Sequence, residues 1–317
     1  MQGQHPDDPS ELYRASIFGN LRDATANCLN ARERVWAQDT RRTNGNIEYV
    51  GKTFLVATCK GMFDYLRSQP DLPSVYEVIA TKEPCRLYLD MEMLPAEYDN
   101  FTETELSDLV VLLRTGIQQF LDRSFPGIGQ DRLRNDRLLQ ACDSDKFSVH
   151  YVHPEIVFDN AVCSQFAFVF ELQLFLRQYL QAYNNIHLDS AVDRAISEGV
   201  VDFSVYRMSQ QLRLGGNTKL GKVRPLRMVG EECKVVFPRT AEGCVRDHTF
   251  RSLCPTFELF LAHLVSDRSD VSVDTPLSHS CGPGVNNQDG RIVYCVNGLY
   301  HGRFATKAES EPHKWCT

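Results

Sequence analysis

The stretch from Cys85 to Leu94, "CRLYLDMEML", places two carboxylates inside an apolar segment. Alternate residues of a β-strand point to the same face of a sheet, so a strand here puts Asp90 and Glu92 on one face and Leu89 and Met91 on the other. Two like charges on one face raise each other's pKa, and a divalent cation such as Mg²⁺ or Mn²⁺ offsets their repulsion. The alternative interpretation is an edge strand whose solvent face is acidic.

Length and composition describe an ordinary globular chain. It has 317 residues, of which 43% are hydrophobic and 24% charged, enough for one large domain or two small lobes. No apolar run of about 18 residues occurs, and no basic start followed by an apolar stretch, so we expect an intracellular protein with no membrane partner. The formal net charge of −7 argues against a nucleic-acid coat but leaves local basic surfaces open.

The order of apolar patterns predicts the fold class. Residues 10–38 show helical spacing, and a hairpin with an Asn-Gly turn follows. Thr102 and Glu105 have the spacing of a capping box, which predicts the start of an amphipathic helix. From Cys85 onward the pattern is β-α-β-β-α-β, typical of a ferredoxin-like or RNA-recognition-type unit. We therefore predict an α+β fold with an N-terminal helix plus αβ module over 1–84, an RNA-recognition-like module over 85–266 and a polar, poorly ordered tail over 267–317.

A second alternation occurs in "KFSVHYVH", residues 146–153. Lys146, Ser148 and His150 share one face of the predicted strand, and apolar residues occupy the other. A cation, a hydroxyl and an imidazole in a row can bind phosphate oxygens through charge and hydrogen bonds. A solvated polar face is the alternative.

The third pattern is "VVDFSVYRMSQQLRLGGNTKLGK", residues 200–222. Asp202 follows an apolar pair, and the chain from 205 to 230 then contains six basic residues and no acid. Gly215 and Gly216 permit a tight turn that would bring Lys219 back toward the sheet. Alone, the segment is typical of a solvated hairpin. With the first two patterns it suggests a site for a metal–triphosphate complex, because acids hold metals and bases hold phosphates.

These motifs, in this order and spacing, resemble the archaeo-eukaryotic primase superfamily of the primase-polymerase (PrimPol) type. "YEVIATKEPCRLYLDME" is similar to the stretch leading into the family's D-x-E motif, and "KFSVH" to its S-x-H motif with the preceding lysine. The third pattern resembles the motif in which an Asp precedes V-Y and a basic strand and turn. The resemblance covers roughly residues 16–264 and implies a primase catalytic core in which two αβ modules form one unit.

The resemblance also implies an activity and its residues. The activity is that of a template-directed nucleotidyltransferase, a DNA-directed primase-polymerase that extends and starts primers in DNA replication or damage tolerance, including translesion synthesis. Two Mg²⁺ or Mn²⁺ ions would be held by Asp90, Glu92 and Asp202. The triphosphate of a dNTP or NTP would be bound by Lys146, Ser148, His150, Arg213 and Lys219.

Partners and location follow from the same resemblance. We expect a single-stranded DNA template with its primer, a single-strand-binding protein as partner, and a place in the nucleus, the mitochondrion or both. Family members start primers with a C-terminal zinc module. The tail residues His279, Cys281, Cys295, His301, His313 and Cys316 do not reproduce its spacing, so we expect no zinc here. The aromatic candidates for contacting the nucleotide sugar are Tyr49, Phe54, Tyr65 and Tyr88.

Two other function classes compete with this interpretation. A non-catalytic nucleic-acid binder with an RNA-recognition-like sheet would need exposed aromatic residues on its central strands, where this chain has Asp90 and Glu92. A two-metal nuclease or phosphatase would need the acids but not the cationic side chains that bind a triphosphate.

Overall fold

The computed structural model of the protein describes residues 16–28, 32–80, 84–96, 99–126, 129–158, 161–183, 190–222, 224–237, 249–266, 284–285 and 292–294. The helices are α1 (Leu21–Ala26), α2 (Cys59–Ser68), α3 (Glu103–Ser124), α4 (Gln130–Leu133), α5 (Phe166–Tyr183), α6 (Ser190–Glu198), α7 (Phe250–Leu253) and α8 (Phe257–His263). The strands are β1 (Ser16–Phe18), β2 (Glu33–Asn44), β3 (Ile47–Thr58), β4 (Val75–Ile79), β5 (Cys85–Met93), β6 (Arg137–Gln140), β7 (Phe147–Phe158), β8 (Gln210–Arg213), β9 (Arg227–Met228), β10 (Gly284–Val285) and β11 (Ile292–Tyr294). The chain is a mixed α+β protein, as predicted.

The first sheet has the strand order β1-β3-β2-β4-β8 and is antiparallel throughout. Its long β2–β3 hairpin turns at Gly45, whose φ of +62° is a left-handed conformation that glycine adopts readily. The predicted Asn-Gly turn is therefore confirmed. One face of this sheet packs against α2, α7 and α8 around the fully buried Trp36.

The second sheet is built around β7. This strand pairs with β5 along one edge and with β6 along the other, both antiparallel, and β9 continues the sheet beyond β6. β11 runs parallel to residues Ile156–Phe158 of β7, and β10 pairs with β11. An antiparallel bridge between Val201 and Met91 adds a short partner to the free edge of β5.

The main core lies between the second sheet and the helices α3 and α5. Leu89, Met91 and Met93 point into it, as the alternation predicted, and all three are buried. The helix α3 starts with the predicted capping box: the Thr102 hydroxyl accepts from the Glu105 backbone N–H, and the Glu105 carboxylate accepts from the Thr102 backbone N–H. These local signals set where the helix begins and which face it buries.

The chain crosses between the two layers more than once. Within the predicted 85–266 module, β8 joins the first sheet beside β4, and α7 and α8 pack on α2. In the predicted tail, β10 and β11 belong to the second sheet. The division into modules at residue 85, and the poor order of the tail, stay predictions.

The predicted helix over residues 10–38 is wrong where the structure describes it. Only Leu21–Ala26 is helical there, and it begins after the Asn20 side chain caps the Asp23 backbone N–H. Glu33–Asn44 is a strand instead. Its apolar residues pair with both β3 and β4, and these cross-strand contacts outweigh a helical spacing that was partly fortuitous.

Among the described residues, no helix combines the length and the apolar character that crossing a bilayer requires.

Candidate active site

The β5–β7 register brings two of the predicted patterns face to face. Asp90 lies directly opposite His150, and Glu92 directly opposite Ser148. We call Asp90 and Glu92 the acid row, and Lys146, Ser148 and His150 the polar row. Direct cross-strand partners share a face, so the two rows form one polar surface whose reverse side is the apolar core. The Lys146 ammonium extends the contact and donates to Glu92 Oε2 over 2.5 Å.

Asp202 reaches the acid row through the backbone. Its N–H donates to the Asp90 carbonyl oxygen at 2.8 Å, and the Glu92 N–H donates to the Val200 carbonyl oxygen at 2.8 Å. These two bonds hold residues 200–202 against the edge of β5. The third predicted acid therefore stands beside the first two, although they lie far apart in the chain.

The first sheet and the turn after β8 supply basic side chains to the site. We call Arg213 and Lys219 the basic wall. Arg213 sits in β8 and is only 8% exposed, and its guanidinium donates to the Arg224 carbonyl oxygen at 3.2 Å. The turn that follows has Gly216 at a φ of +77°, and the Gly216 N–H donates to the Leu226 carbonyl oxygen. This turn returns the chain so that the charges of Glu92, Asp90 and Arg213 act on the pKa of Lys219.

Burial and like charge act together on Asp90. Burial raises the pKa of its carboxyl, and the charges of Glu92 and Asp202 raise it further, to about 7, against the opposing effect of Arg213 and Lys219. Its Oδ1 atom lies 3.5 Å from His150 Nε2 and has no hydrogen-bond partner in the described part of the chain. Asp90 is thus a buried acceptor whose negative charge is under-compensated.

The basic groups around Asp90 also feel burial. The pKa of His150 is lowered well below its usual range, first by burial and then by the charges of Arg213, Lys219 and Lys146, so its imidazole is neutral at pH 7. Burial likewise lowers the pKa of Arg213 and of Lys219, while the acid row acts in the opposite direction. With His150 neutral, three cationic side chains (Lys146, Arg213 and Lys219) stand near three carboxylates (Asp90, Glu92 and Asp202), so the site offers groups for both a cation and an anion.

The carboxylates near Asp90 are engaged in local contacts. Glu92 pairs with Lys146, and both Asp202 carboxylate oxygens accept hydrogen bonds from Ser204, one from its N–H and one from its hydroxyl. In the described residues no three His, Cys, Asp or Glu side chains converge closely enough to form a ready-made metal centre. The donors themselves are hard oxygens suited to Mg²⁺ or Mn²⁺, and the partnerless Oδ1 of Asp90 fits a cation. Glu92 and Asp202 would have to turn from Lys146 and Ser204 to join it.

Sequence reasoning missed three residues beside this wall. Tyr76 of β4 lies directly opposite Arg213 and donates its hydroxyl to Asp39 Oδ2 at 2.7 Å. Asp39 also pairs with Lys52 at 2.6 Å, and the Lys52 ammonium lies 3.4 Å from the centre of the Tyr76 ring. The register of β2, β3, β4 and β8 brings these side chains together. A local sequence pattern could therefore not predict that they meet.

The four aromatic candidates for a sugar contact occupy different parts of the fold. Tyr88 is fully buried and donates to the Val205 carbonyl oxygen, and Phe54 packs in the small core under α1. Tyr65 donates to Gln38 on the helix-covered side of the first sheet, and Tyr49 lies in the outer part of the β2–β3 hairpin. The tail residues considered for zinc lie outside the described residues, so their assignment stays a prediction.

Comparison with known proteins adds one similarity. No protein-family model matches the chain. Over 156 residues, or 47% of its length, the chain is 27% identical to a protein of Ostreid herpesvirus 1 (isolate France) named "Putative primase". The match spans 13% of that viral protein. This similarity suggests a primase-like family for an α+β chain that sets paired carboxylates against a basic wall.

Proposed function

We propose that this protein is a template-directed nucleotidyltransferase of the DNA-directed primase-polymerase type. The observation that carries the proposal is the pairing of the acid row with the polar row across β5 and β7, with Arg213 of β8 and Lys219 of the turn that follows it close enough to affect the pKa of Asp90. The similarity to a protein named as a primase supports it. In this proposal residues 85–202 form a ferredoxin-like module, because the bridge at Val201, β5, β7 and β6 lie side by side in that order.

The acids would hold the catalytic ions. Asp90, Glu92 and Asp202 offer carboxylate oxygens to two Mg²⁺ or Mn²⁺ ions. Such ions lower the pKa of the attacking 3′-hydroxyl and neutralise charge on the leaving pyrophosphate. The raised pKa of Asp90 fits this role, because a buried carboxylate among like charges gains most from a nearby cation.

The polar row and the basic wall together would hold the triphosphate. Lys146 becomes available to phosphate oxygens once Glu92 leaves it, and Ser148 can donate from its hydroxyl. Neutral His150 contributes a hydrogen bond without adding a charge, while Arg213 and Lys219 bring charge from the opposite side. Holding both sides of a triphosphate in this way orients the α-phosphorus for in-line attack.

The two competing classes fit the geometry less well. A non-catalytic binder would place aromatic residues where the acid row lies, and uncompensated acids repel a phosphate backbone. A two-metal nuclease would not need basic side chains from two sheets around the acids. Both classes remain outcomes of the test below.

The deciding experiment offers a primed single-stranded template, nucleotides and Mn²⁺ to the protein. We expect primer extension, and we expect Asp90→Ala and Asp202→Ala to abolish it while leaving template affinity unchanged, since both residues act on the metals. His150→Ala should raise the nucleotide KM more than it weakens template binding. Shortening of the DNA would indicate a nuclease, and binding without chemistry a non-catalytic module; either result would overturn the proposal.

A further inference from the structure

The chain that follows β8 lies on the polar face of the second sheet. We call residues 214–222 and 224–226 the β8 loop. Leu226 packs against Leu139 of β6, and both side chains are buried. Leu139 is the direct cross-strand partner of His150, so this apolar contact occupies the same sheet face as the polar row, one strand away from it. The β8 loop therefore connects the first sheet to the second beside the candidate active site.

An ion pair ties the β8 loop to the turn between β6 and β7. Arg224 Nη1 lies 2.9 Å from Asp143 Oδ2, and the two side chains are only 20% and 23% exposed. A pair this shielded from water differs from an ordinary surface pair, because loss of either partner leaves a poorly solvated charge on the other. The metal and triphosphate contacts proposed above use neither residue.

Asp143 shapes the turn that presents Lys146. Its N–H donates to the Lys146 carbonyl oxygen at 3.0 Å, and the Lys146 N–H donates back to the Asp143 carbonyl oxygen at 3.3 Å. Asp143 Oδ1 accepts from the Asp145 N–H at 3.0 Å, while Oδ2 faces Arg224. One carboxylate thus both closes the turn and carries the ion pair. Since Lys146 begins the polar row, a movement of Asp143 would be passed on to the Lys146 ammonium.

Arg224 supports the basic wall from the other side. Its carbonyl oxygen accepts from the Arg213 guanidinium at 3.2 Å and from the Thr218 hydroxyl at 3.3 Å, next to Lys219. Burial lowers the pKa of Arg213, and the positive charge of Arg224 acts in the same direction. Asp143 supplies a negative charge that offsets this repulsion between two guanidinium groups. Arg224 therefore contacts Arg213 through its backbone and Asp143 through its side chain.

We propose that the Arg224–Asp143 ion pair sets the distance between the Lys146 and Arg213 side chains, so that both bind one triphosphate. Arg224 and Asp143 are then positioning residues, because each acts through a neighbour rather than on the ligand. The inference rests on the proposed function for the identity of that ligand. The joining of the two turns itself requires no ligand, so it can be tested apart from nucleotide transfer.

The first test measures binding of dTTP to the full chain by isothermal titration calorimetry, with Mg²⁺ and without DNA. Asp143→Asn, which keeps an oxygen for the Asp145 N–H and removes only the charge, and Arg224→Gln should each weaken binding by about 3- to 100-fold, the range for residues coupled in one network. The double variant should bind no more weakly than the weaker single variant, since both changes break one pair. Arg224→Lys should retain most of the affinity because it keeps the charge.

Two results of this titration would overturn the proposal. Unchanged affinity in both single variants would show that the pair does not position the phosphate-binding groups. Weaker binding in Arg224→Gln but not in Asp143→Asn would make Arg224 a direct ligand of the phosphates. The matched control is Arg132→Gln, which breaks a pair with Glu155 of similar exposure, 33% and 25%, outside the site and should leave the affinity for dTTP unchanged.

Primer extension separates positioning from a loss of folded protein. Displaced phosphate-binding groups raise the nucleotide KM, whereas a smaller folded fraction lowers the apparent kcat and leaves KM unchanged. We expect KM to rise in Asp143→Asn and in Arg224→Gln by more than kcat falls. A fall in kcat at constant KM in both variants would reduce the pair to a structural role and overturn the proposal.

Hydrogen exchange without nucleotide tests the connection between the two turns. Arg224→Gln should speed exchange of the Lys146 N–H, which is bonded to Asp143, and Asp143→Asn should speed that of the Leu226 N–H, which is bonded to the Asn217 carbonyl oxygen. Faster exchange confined to the turn that carries the substitution would contradict the inference. If both turns responded in a protein that neither bound dTTP nor extended primers, the proposed function would be wrong and the connection between the turns would stand.

Discussion

At Asp90, both burial and neighbouring negative charges oppose ionisation of the carboxyl group. It is 9% exposed, it has Glu92 and Asp202 as negative neighbours, and its pKa of about 7 lies well above the usual value for an aspartate. A raised pKa means that the folded protein favours the protonated carboxyl. In the unfolded chain the same group ionises near pH 4, so the folded state binds the extra proton in the interval between.

The raised pKa of Asp90 predicts that the free energy of unfolding depends on pH. In EDTA, the free energy of unfolding should fall as the pH rises from about 4 to 7, because folding then confines an ionised Asp90 among like charges. Asp90→Asn should escape that loss and be more stable than wild type at pH 8, by on the order of 2–4 kcal/mol, with the gap closing toward pH 4. Urea denaturation at the two pH values measures it. If the two proteins differed in free energy of unfolding by the same amount at every pH, Asp90 would not carry the raised pKa. Added Mg²⁺ should stabilise the wild-type protein more than Asp90→Asn.

At the scale of elements, the turn after β8 positions the basic wall. Gly215 is packed so closely that a Cβ there would lie well inside contact distance of His263 Nδ1 and 2.9 Å from Leu139 Cδ2. His263 is the last residue of α8, is buried, and has a pKa lowered to about 4. The turn that separates Arg213 from Lys219 is thus wedged between α8 and β6.

We therefore expect Gly215→Ala to displace the turn. Overpacking of this kind costs roughly 1–3 kcal/mol, and the shift should weaken nucleotide binding because Arg213 and Lys219 move with the turn. Isothermal titration with a nucleotide and urea denaturation measure the two effects. Adding His263→Ala should relieve most of the clash. Gly230→Ala is the control, since a Cβ at Gly230 meets no atom within 4 Å; equal binding by Gly215→Ala and Gly230→Ala would contradict the expectation.

At the scale of the whole molecule, one short segment joins the two sheets. The Val265 N–H donates to Glu77 of the first sheet at 2.8 Å, and the Val265 carbonyl oxygen accepts from the Arg86 N–H of the second at 2.9 Å. Ser266 adds its N–H and its hydroxyl to the same buried carboxylate. The Arg86 guanidinium donates to the Leu261 and Leu264 carbonyl oxygens. The acid row and the basic wall face each other because this segment holds the sheets together.

Replacing Glu77 should destabilise both sheets. Glu77→Ala leaves two buried backbone N–H groups and a buried hydroxyl without their acceptor, so we expect a loss of about 2–4 kcal/mol. Hydrogen exchange should show faster opening in β4 and in β5. The control is Glu198→Gln, which breaks an exposed pair with Arg194 on α6 and should cost no more than about 1 kcal/mol. Faster exchange confined to the first sheet would show that residues 264–266 do not couple the layers.

Much of the local structure could be read from the chain alone. The alternation in "CRLYLDMEML" and in "KFSVHYVH" predicted both polar faces of the β5–β7 pair, because side-chain direction in a strand depends only on position parity. The Thr102 capping box and the turn at Gly45 were predicted for the same reason, since each depends on residues a few positions apart.

Contacts between distant segments followed only from the tertiary structure. The helix expected over 10–38 gave way to β2 because pairing with β3 and β4 outweighs local spacing. Likewise, Asp202 reaches Asp90 through a backbone bond at a strand edge, and Tyr76, Asp39 and Lys52 reach Arg213 through the register of four strands. The sequence by itself determined which side chains share a strand face, because that choice is made within a few residues. Which faces meet depends on how the whole chain closes around its cores, and only the folded structure decides that.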